Sequence, residues 1–245
     1  MSSSGKPTYF FSDAHLGVGD DDDRLRRMGD LFDEIAARGG DCFILGDLFD
    51  FWFEFFTGIP TGYDEALAIL KSAVEHGVGL HLIGGNHDYW VGKKITQLTG
   101  CLVHKKPFIG EIDGKMIYAG HGDGLAPSDW GYRSLLKPIL RFPPNIFLYK
   151  LLPRSIGEKL ARSVSDGSRI YTKNRNLKFE AEYLDVAQGM ARDRIDFVIV
   201  GHTHEPAKIV PMKNITYVNL GDFFEQFTYA VLERGEVRLG RVSKP

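Results

Sequence analysis

The sequence predicts an α/β fold, and three observations predict it. Short apolar runs of strand length alternate with stretches whose apolar residues recur at helical spacing. Several of those runs end directly in Asp, Asn or His, at the strand end where open α/β sheets hold their ligands. The chain has 245 residues, 43% hydrophobic and 25% charged, enough for one substantial core and one elaboration of it.

Thr8–Ser12 (TYFFS) is β-branched and aromatic and reads as the first strand, ending at Asp13-Ala14-His15. The acidic run Asp20–Asp23 opens a helix, where negative charge suits the dipole; Leu25, Met28, Leu31, Phe32 and Ile35 form its apolar face, and Gly39-Gly40 stops it. Cys42–Leu45 is a second, buried strand, after which Gly46 lets the backbone turn and places Asp47 and Asp50 at the strand end. Tyr63–His76 makes a helix, and Val78–Ile83 makes a strand ending in Gly84-Gly85-Asn86-His87-Asp88. Pro107–Ile112 and Lys115–Ala119 form a hairpin about Asp113-Gly114 and deliver Gly120-His121-Gly122-Asp123. Ile195–Val200 delivers Gly201-His202-Thr203-His204; Ile215–Leu220 and Phe227–Leu239 close the chain as strands, the last pair turning at Arg234-Gly235.

Unpaired carboxylates on an apolar strand end protonate or destabilise the fold, so bound cations are one reason for Asp47 and Asp50 to be there. An N-cap Asp followed by a helix acid is the other. Gathering the strand ends gives Asp13, His15, Asp47, Asn86, His121, His202 and His204, all oxygen or imidazole donors of the kind that hold divalent transition ions. A lone histidine is more often a satisfied structural residue than a ligand, but five of the eight histidines, counting His87, lie at these ends. His76, His81 and His104 lack that context and read as surface or core residues.

The ordered set DxH, GDxxD, GNHD, HGD and GHTH resembles the calcineurin-like metallophosphoesterases, over the span Asp13 to His204. The resemblance implies a four-layer αββα sandwich of two mixed sheets with a dinuclear centre between strand ends. It implies that Asp13, His15 and His204 hold one ion, that Asn86, His121 and His202 hold the other, and that Asp47 bridges them. His87 is then the donor to the phosphoryl or leaving-group oxygen and Asp50 its orienting carboxylate. Asp88 and Asp123 have the weaker pattern of residues that hydrogen-bond nearby loops, with Asp123 also a candidate for substrate contact. Nitrogen and oxygen donors without thiolate suit two divalent ions, manganese first, iron or zinc as alternatives.

Between HGD and the IDFVIV strand lies residues 125–182, which the ligand pattern does not require; the expected organisation is therefore a core of 7–124 and 183–245 with a helical cap at 125–182. The segment carries eleven Lys and Arg against five acids, +6, which leaves −8 for the rest of a chain of net charge −2. Leu135, Leu136, Ile139, Leu140 and Phe142, then Ile146, Phe147, Leu148, Leu151 and Leu152, interrupted by Pro143-Pro144, give two short helices with apolar faces and basic flanks. Such helices fit a lipid-receptive cap on an anionic membrane surface; the alternative is a helical pair packed on the domain with a solvated basic face.

Within the family, GDLFDFW, HGD, this cap and GHTHEPA are most similar to the UDP-2,3-diacylglucosamine diphosphatases of lipid A synthesis. That resemblance implies cleavage of an acylated nucleotide sugar at its pyrophosphate, giving an acyl-sugar 1-phosphate and UMP. One departure is His87, where those enzymes often carry Arg. Arg162, Ser168, Arg169, Thr172, Lys173 and Asn174 are the expected sugar and phosphate contacts in the cap. A general phosphoesterase on soluble substrates, and a non-catalytic membrane-surface scaffold, are the competing functions. Nucleic acid is not an expected partner, because the basic surface is mixed with apolar stripes. Two cysteines, Cys42 and Cys101, give no disulfide framework, and no run approaches the roughly 20 apolar residues of a membrane span, so the expectation is a cytoplasmic protein, peripheral on the inner face of the membrane.

Overall fold

The computed structural model describes residues 5–160 and 176–243. Eleven strands among them form two mixed sheets. The first runs β11-β10-β1-β2-β3-β4, built from β1 (Thr8–Phe11), β2 (Asp41–Leu45), β3 (Gly79–Ile83), β4 (Leu102–His104), β10 (Thr228–Glu233) and β11 (Glu236–Arg241). The second runs β5-β6-β7-β9-β8, built from β5 (Phe108–Ile112), β6 (Lys115–Gly120), β7 (Phe197–Val200), β8 (Lys208–Met212) and β9 (Ile215–Asn219).

The period of two along a strand decides the layers. In β1, Phe10 faces the second sheet and packs with Phe43, Leu45 and Ile83 against Ile117, Ala119, Ile199 and Val218. Its neighbours Tyr9 and Phe11 face the other way, onto α1 (Asp22–Ala37), whose Met28, Leu31, Phe32 and Ile35 are buried as the spacing predicts. The second sheet turns its outer face, through Val198, Val200, Ile215 and Tyr217, to Phe179, Tyr183 and Ala187 of the long helix Asn176–Met190. The result is the expected helix, sheet, sheet, helix order. Strands buried on both faces read as unbroken apolar runs, and their detection from sequence follows from that.

α2 (Asp64–Glu75) and the closing hairpin also fall where expected. Four helices and strands were not legible: α3 (Lys93–Thr99), β4, β8 and the helix Asn176–Met190. β4 has three residues, and β8 contains Pro211, tolerated because β8 is an edge strand. Residues 46–56 run as turns and isolated bridges with no helix after Asp47, so the N-cap alternative for that carboxylate fails.

The cap begins with a π-helical turn (Tyr132–Leu136) that continues into α4 (Lys137–Arg141), then α5 (Pro143–Lys150). The expected boundary between 182 and 183 falls inside Asn176–Met190, so Phe179 and Glu180 share one element with Tyr183 and lie in the core. Both cysteines are free and buried. No helix among the described residues is long and apolar enough to cross a membrane.

Candidate metal centre

Parallel pairing of β1, β2 and β3 brings their carboxyl ends to one edge of the first sheet, and parallel pairing of β6 and β7 does the same in the second. The two edges meet. The first supplies Asp13, His15, Asp47 and Asn86; the second supplies His121, His202 and His204. All seven side chains expected to hold ions are gathered in one place, with His87 and Asp50 beside them.

The distances group them. Asp13 Oδ1 lies 3.2 Å from His204 Nε2, which lies 3.2 Å from His15 Nε2. Asp47 Oδ2 lies 3.2 Å from His121 Nε2, which lies 3.0 Å from Asn86 Oδ1 and 3.1 Å from His202 Nδ1. Asp47 Oδ2 is also 3.9 Å from His15 Nε2, so this one carboxylate stands between the two groups. Asp13, His15 and His204, and likewise Asp47, His121 and His202, each offer donor atoms within 4.8 Å of one another. Imidazole nitrogens aimed at each other across about 3 Å are an unfavourable pairing unless a proton or a cation lies between them. Two such groups with a shared carboxylate fit two divalent ions.

The backbone is bent to make this edge. Asp13, His15, Asp47, His202 and His204 all have positive φ, between 44° and 72°, a region in which each non-glycine residue costs energy. Hydrogen bonds hold the strained loops. Asp13 N donates to Gly46 O (3.1 Å), His15 N to Asp47 O (3.0 Å) and Gly201 N to His121 O (3.0 Å). Gly46 is required at its place: with φ +86°, a Cβ there would sit 2.7 Å from Gly85 Cα and 2.8 Å from His121 Nδ1.

A surrounding layer fixes the donors. His121 Nδ1–H donates to Leu45 O (2.9 Å), which leaves Nε2 free to act as a ligand. Asp47 Oδ1 accepts from His87 N and Asp13 Oδ2 from His202 N, each at 2.9 Å. Asp88, fully buried, accepts from the amides of Gly85, Asp47 and Leu48, in agreement with the loop-bonding role expected of it. Asp123 differs: its Oδ2 accepts from Tyr132 Oη (2.9 Å) and Arg141 Nη2 (2.7 Å) and pairs with Lys137 Nζ (2.9 Å), all cap residues.

Electrostatics follow the packing. Burial drives His15 down to about 3 and His202 to about 4, so both are neutral at pH 7, the form that ligates. Burial opposes charge on His121 as well, but Asp47 and Asp13 outweigh it and raise it to about 10, so a proton on Nε2 fills the place beside Asp47 that a bound cation would take. His87 is likewise lifted, against burial, to about 9 by Asp47 and Asp50; its Nδ1 lies 2.9 Å from Asp50 O and 3.4 Å from Asp50 Oδ1.

Three supporting residues carry no local sequence signal. Arg24 on α1 reaches back to the carbonyls of His15 (3.2 Å) and Asp20 (3.0 Å), holding the DxH loop. Glu54 accepts from the amides of Gly92, Lys94 and Ile95 at the start of α3. Glu180 accepts from Asn219 Nδ2 (2.8 Å) and Thr203 Oγ1 (3.3 Å) and pairs with Lys208 (2.9 Å), behind the loop that carries His202 and His204. The expected contacts Arg162, Ser168, Arg169, Thr172, Lys173 and Asn174 lie outside the described residues.

Comparison with known proteins agrees with this geometry. Residues 6–206 match the family model described as calcineurin-like phosphoesterase. A UDP-2,3-diacylglucosamine hydrolase of Nitrosococcus oceani is 33% identical over 204 residues, 82% of this chain and 79% of that one. One of Porphyromonas gingivalis is 28% identical over 247 residues, 91% of this chain and 92% of that one. A solved archaeal phosphodiesterase overlays at a TM-score of 0.47 and 14% identity, covering 95% of this chain and 98% of that one. With the family match spanning most of its length and the Asp and His clusters on the expected sheet edges, the chain belongs to the calcineurin-like phosphoesterases and is a metal-dependent phosphoesterase-family hydrolase.

Proposed function

We propose that the protein hydrolyses the diphosphate linkage of an acylated nucleotide sugar, of the UDP-2,3-diacylglucosamine class, at an anionic membrane surface. Asp13, His15 and His204 would hold one ion, Asn86, His121 and His202 the other, with Asp47 between them. Two divalent ions, when bound, act as Lewis acids toward a phosphoryl group and make water nucleophilic near neutral pH. The chain's own residues do the rest. His87, oriented through Nδ1 by Asp50, donates to the leaving oxygen. His121 is locked in orientation by Leu45 O.

One observation carries the lipid half of the proposal. Leu135, Leu136, Ile139, Phe142, Phe147, Leu148 and Leu151 on the cap are between 44% and 62% exposed. Each such side chain would gain about 1.5–3 kcal/mol by full burial, so a packed helical pair would have claimed most of them. An apolar face this broad beside a basic segment is suited to acyl chains and headgroups.

The test is vesicle co-sedimentation with anionic and zwitterionic lipid, together with turnover of diacylated and deacylated sugar nucleotides. Wild type should favour anionic vesicles, less so at high salt, and should prefer the acylated substrate. The double substitution Phe147→Ser, Leu148→Ser should abolish most vesicle binding. Equal turnover of acylated and deacylated substrates would favour a general phosphoesterase with a lid.

A further inference from the structure

Arg133, Lys137 and Arg141 recur every fourth residue, so the helical stretch from Tyr132 to Arg141 presents them as one stripe of cations. The stripe lies over the loop that follows His121. A Cβ built on Gly124 would meet Arg133 Cγ at 3.1 Å and Lys137 Nζ at 3.5 Å, and Lys137 Nζ donates to Asp123 O at 2.6 Å. Asp123 Oδ2 receives Lys137, Arg141 and Tyr132 on a single oxygen. Arg141 is held from its other side as well, its Cζ 3.9 Å over the ring of Tyr89, two residues beyond His87. The side chains of Lys137 and Arg141 are 26% and 22% exposed. Two cations thus share one carboxylate two residues from His121, which leaves a surplus of positive charge beside the loop that carries that ligand.

We propose that Lys137 and Arg141 form a preset clamp for the second phosphate of a diphosphate diester, and that Asp123 positions the clamp instead of touching substrate. The inference rests on the phosphohydrolase reading above and adds which phosphate the cap selects. A planar guanidinium fixed by a carboxylate edge and an aromatic face has lost its rotamer freedom before substrate arrives, and its remaining N–H groups match two phosphate oxygens. The stripe's outward neighbours Leu135, Leu136 and Ile139 are apolar, so one helical stretch divides its two faces between phosphate and chains.

The experiment compares kcat/KM for UDP-N-acetylglucosamine, a diphosphate diester without chains, with kcat/KM for bis(4-nitrophenyl) phosphate, which has one phosphoryl group, in the manganese-loaded enzyme. Arg141→Met and Lys137→Met should each lower the ratio of the two by about ten- to a hundred-fold, chiefly through KM. Arg141→Lys, which keeps the charge and loses the fork, should recover part of it. Inhibition by methylenediphosphonate should weaken by the same order in the Met variants, while inhibition by inorganic phosphate changes far less. Parallel loss on both substrates, with inhibition by the two anions weakened alike, would mean that Arg141 only seats the cap and would overturn the proposal. An unchanged ratio would overturn it too. If wild type shows no preference for acylated substrate yet the ratio still falls in the variants, the lipid reading fails and the clamp stands.

Discussion

Asp47 touches both donor groups, and its removal is therefore the sharpest single change. Asp47→Ala should lose both ions and nearly all activity; elemental analysis showing two ions retained per chain would remove it from the bridging place. Gly46 is the residue that lets it sit there. Gly46→Ala meets Gly85 and His121 Nδ1 below 3 Å and forces a Cβ onto φ +86°, so about 2–4 kcal/mol of stability should go with much of the ion content. A thermal melt within a degree of wild type would show that the loop has room to move. His81 and His104 sit away from the centre, His81 Nδ1 2.9 Å from His104 Nε2 with the His81 ring stacked on Phe43 at 4.2 Å. Burial, then the charge of His104, holds His81 below its ordinary range, and burial does the same for His104. The unfolded chain takes up protons as pH falls through about 6.5 while the folded pair resists, so stability declines below that pH. His104→Gln should shrink the drop in Tm between pH 7.5 and 5; an undiminished drop would assign it to other groups.

Among the elements, the helix Asn176–Met190 has the most to explain, since it follows the cap in sequence and buries its apolar face on the second sheet. Through Glu180 it also reaches Thr203 and Asn219, so the loop with His202 and His204 leans on it. Glu180→Ala leaves Lys208 and Asn219 without their carboxylate and should cost about 3 kcal/mol, with weaker ion retention, whereas Glu180→Gln keeps the acceptor and should lose less. Equal Tm for the two variants would confine Glu180 to space filling. The sheets and the donor set were legible because strands covered on both faces are apolar without interruption and because the donors stand directly after them. Glu180, Arg24 and Glu54 were not legible: each acts on backbone or side chains far off in sequence or through geometry that no local spacing records. β8 and β4 were missed for a different reason, being a proline-bearing edge and a three-residue edge whose pairing comes from neighbours rather than from their own residues. The expected cap boundary at 182 rests on where the ligand motifs stop, and no motif records that the helix Asn176–Met190 runs through it.

For the molecule as a whole, the centre is assembled from two sheets that each bring an incomplete set. The first sheet alone offers Asp13, His15, Asp47 and Asn86, and the second offers only histidines; the bonds across the seam, such as His202 N to Asp13 Oδ2 and His121 Nδ1 to Leu45 O, each at 2.9 Å, hold the halves in register. Ion loading should therefore stabilise the whole domain together. Chelator treatment should lower Tm and raise amide exchange at both strand edges at once, and exchange confined to one sheet would contradict that. The same division has a consequence during synthesis. A nascent chain that has emerged as far as Gly120 carries four donors and no partner edge, and the last two, His202 and His204, arrive after the entire cap. The metal centre is thus completed late in manufacture, after the segment proposed above to select the substrate has already been made.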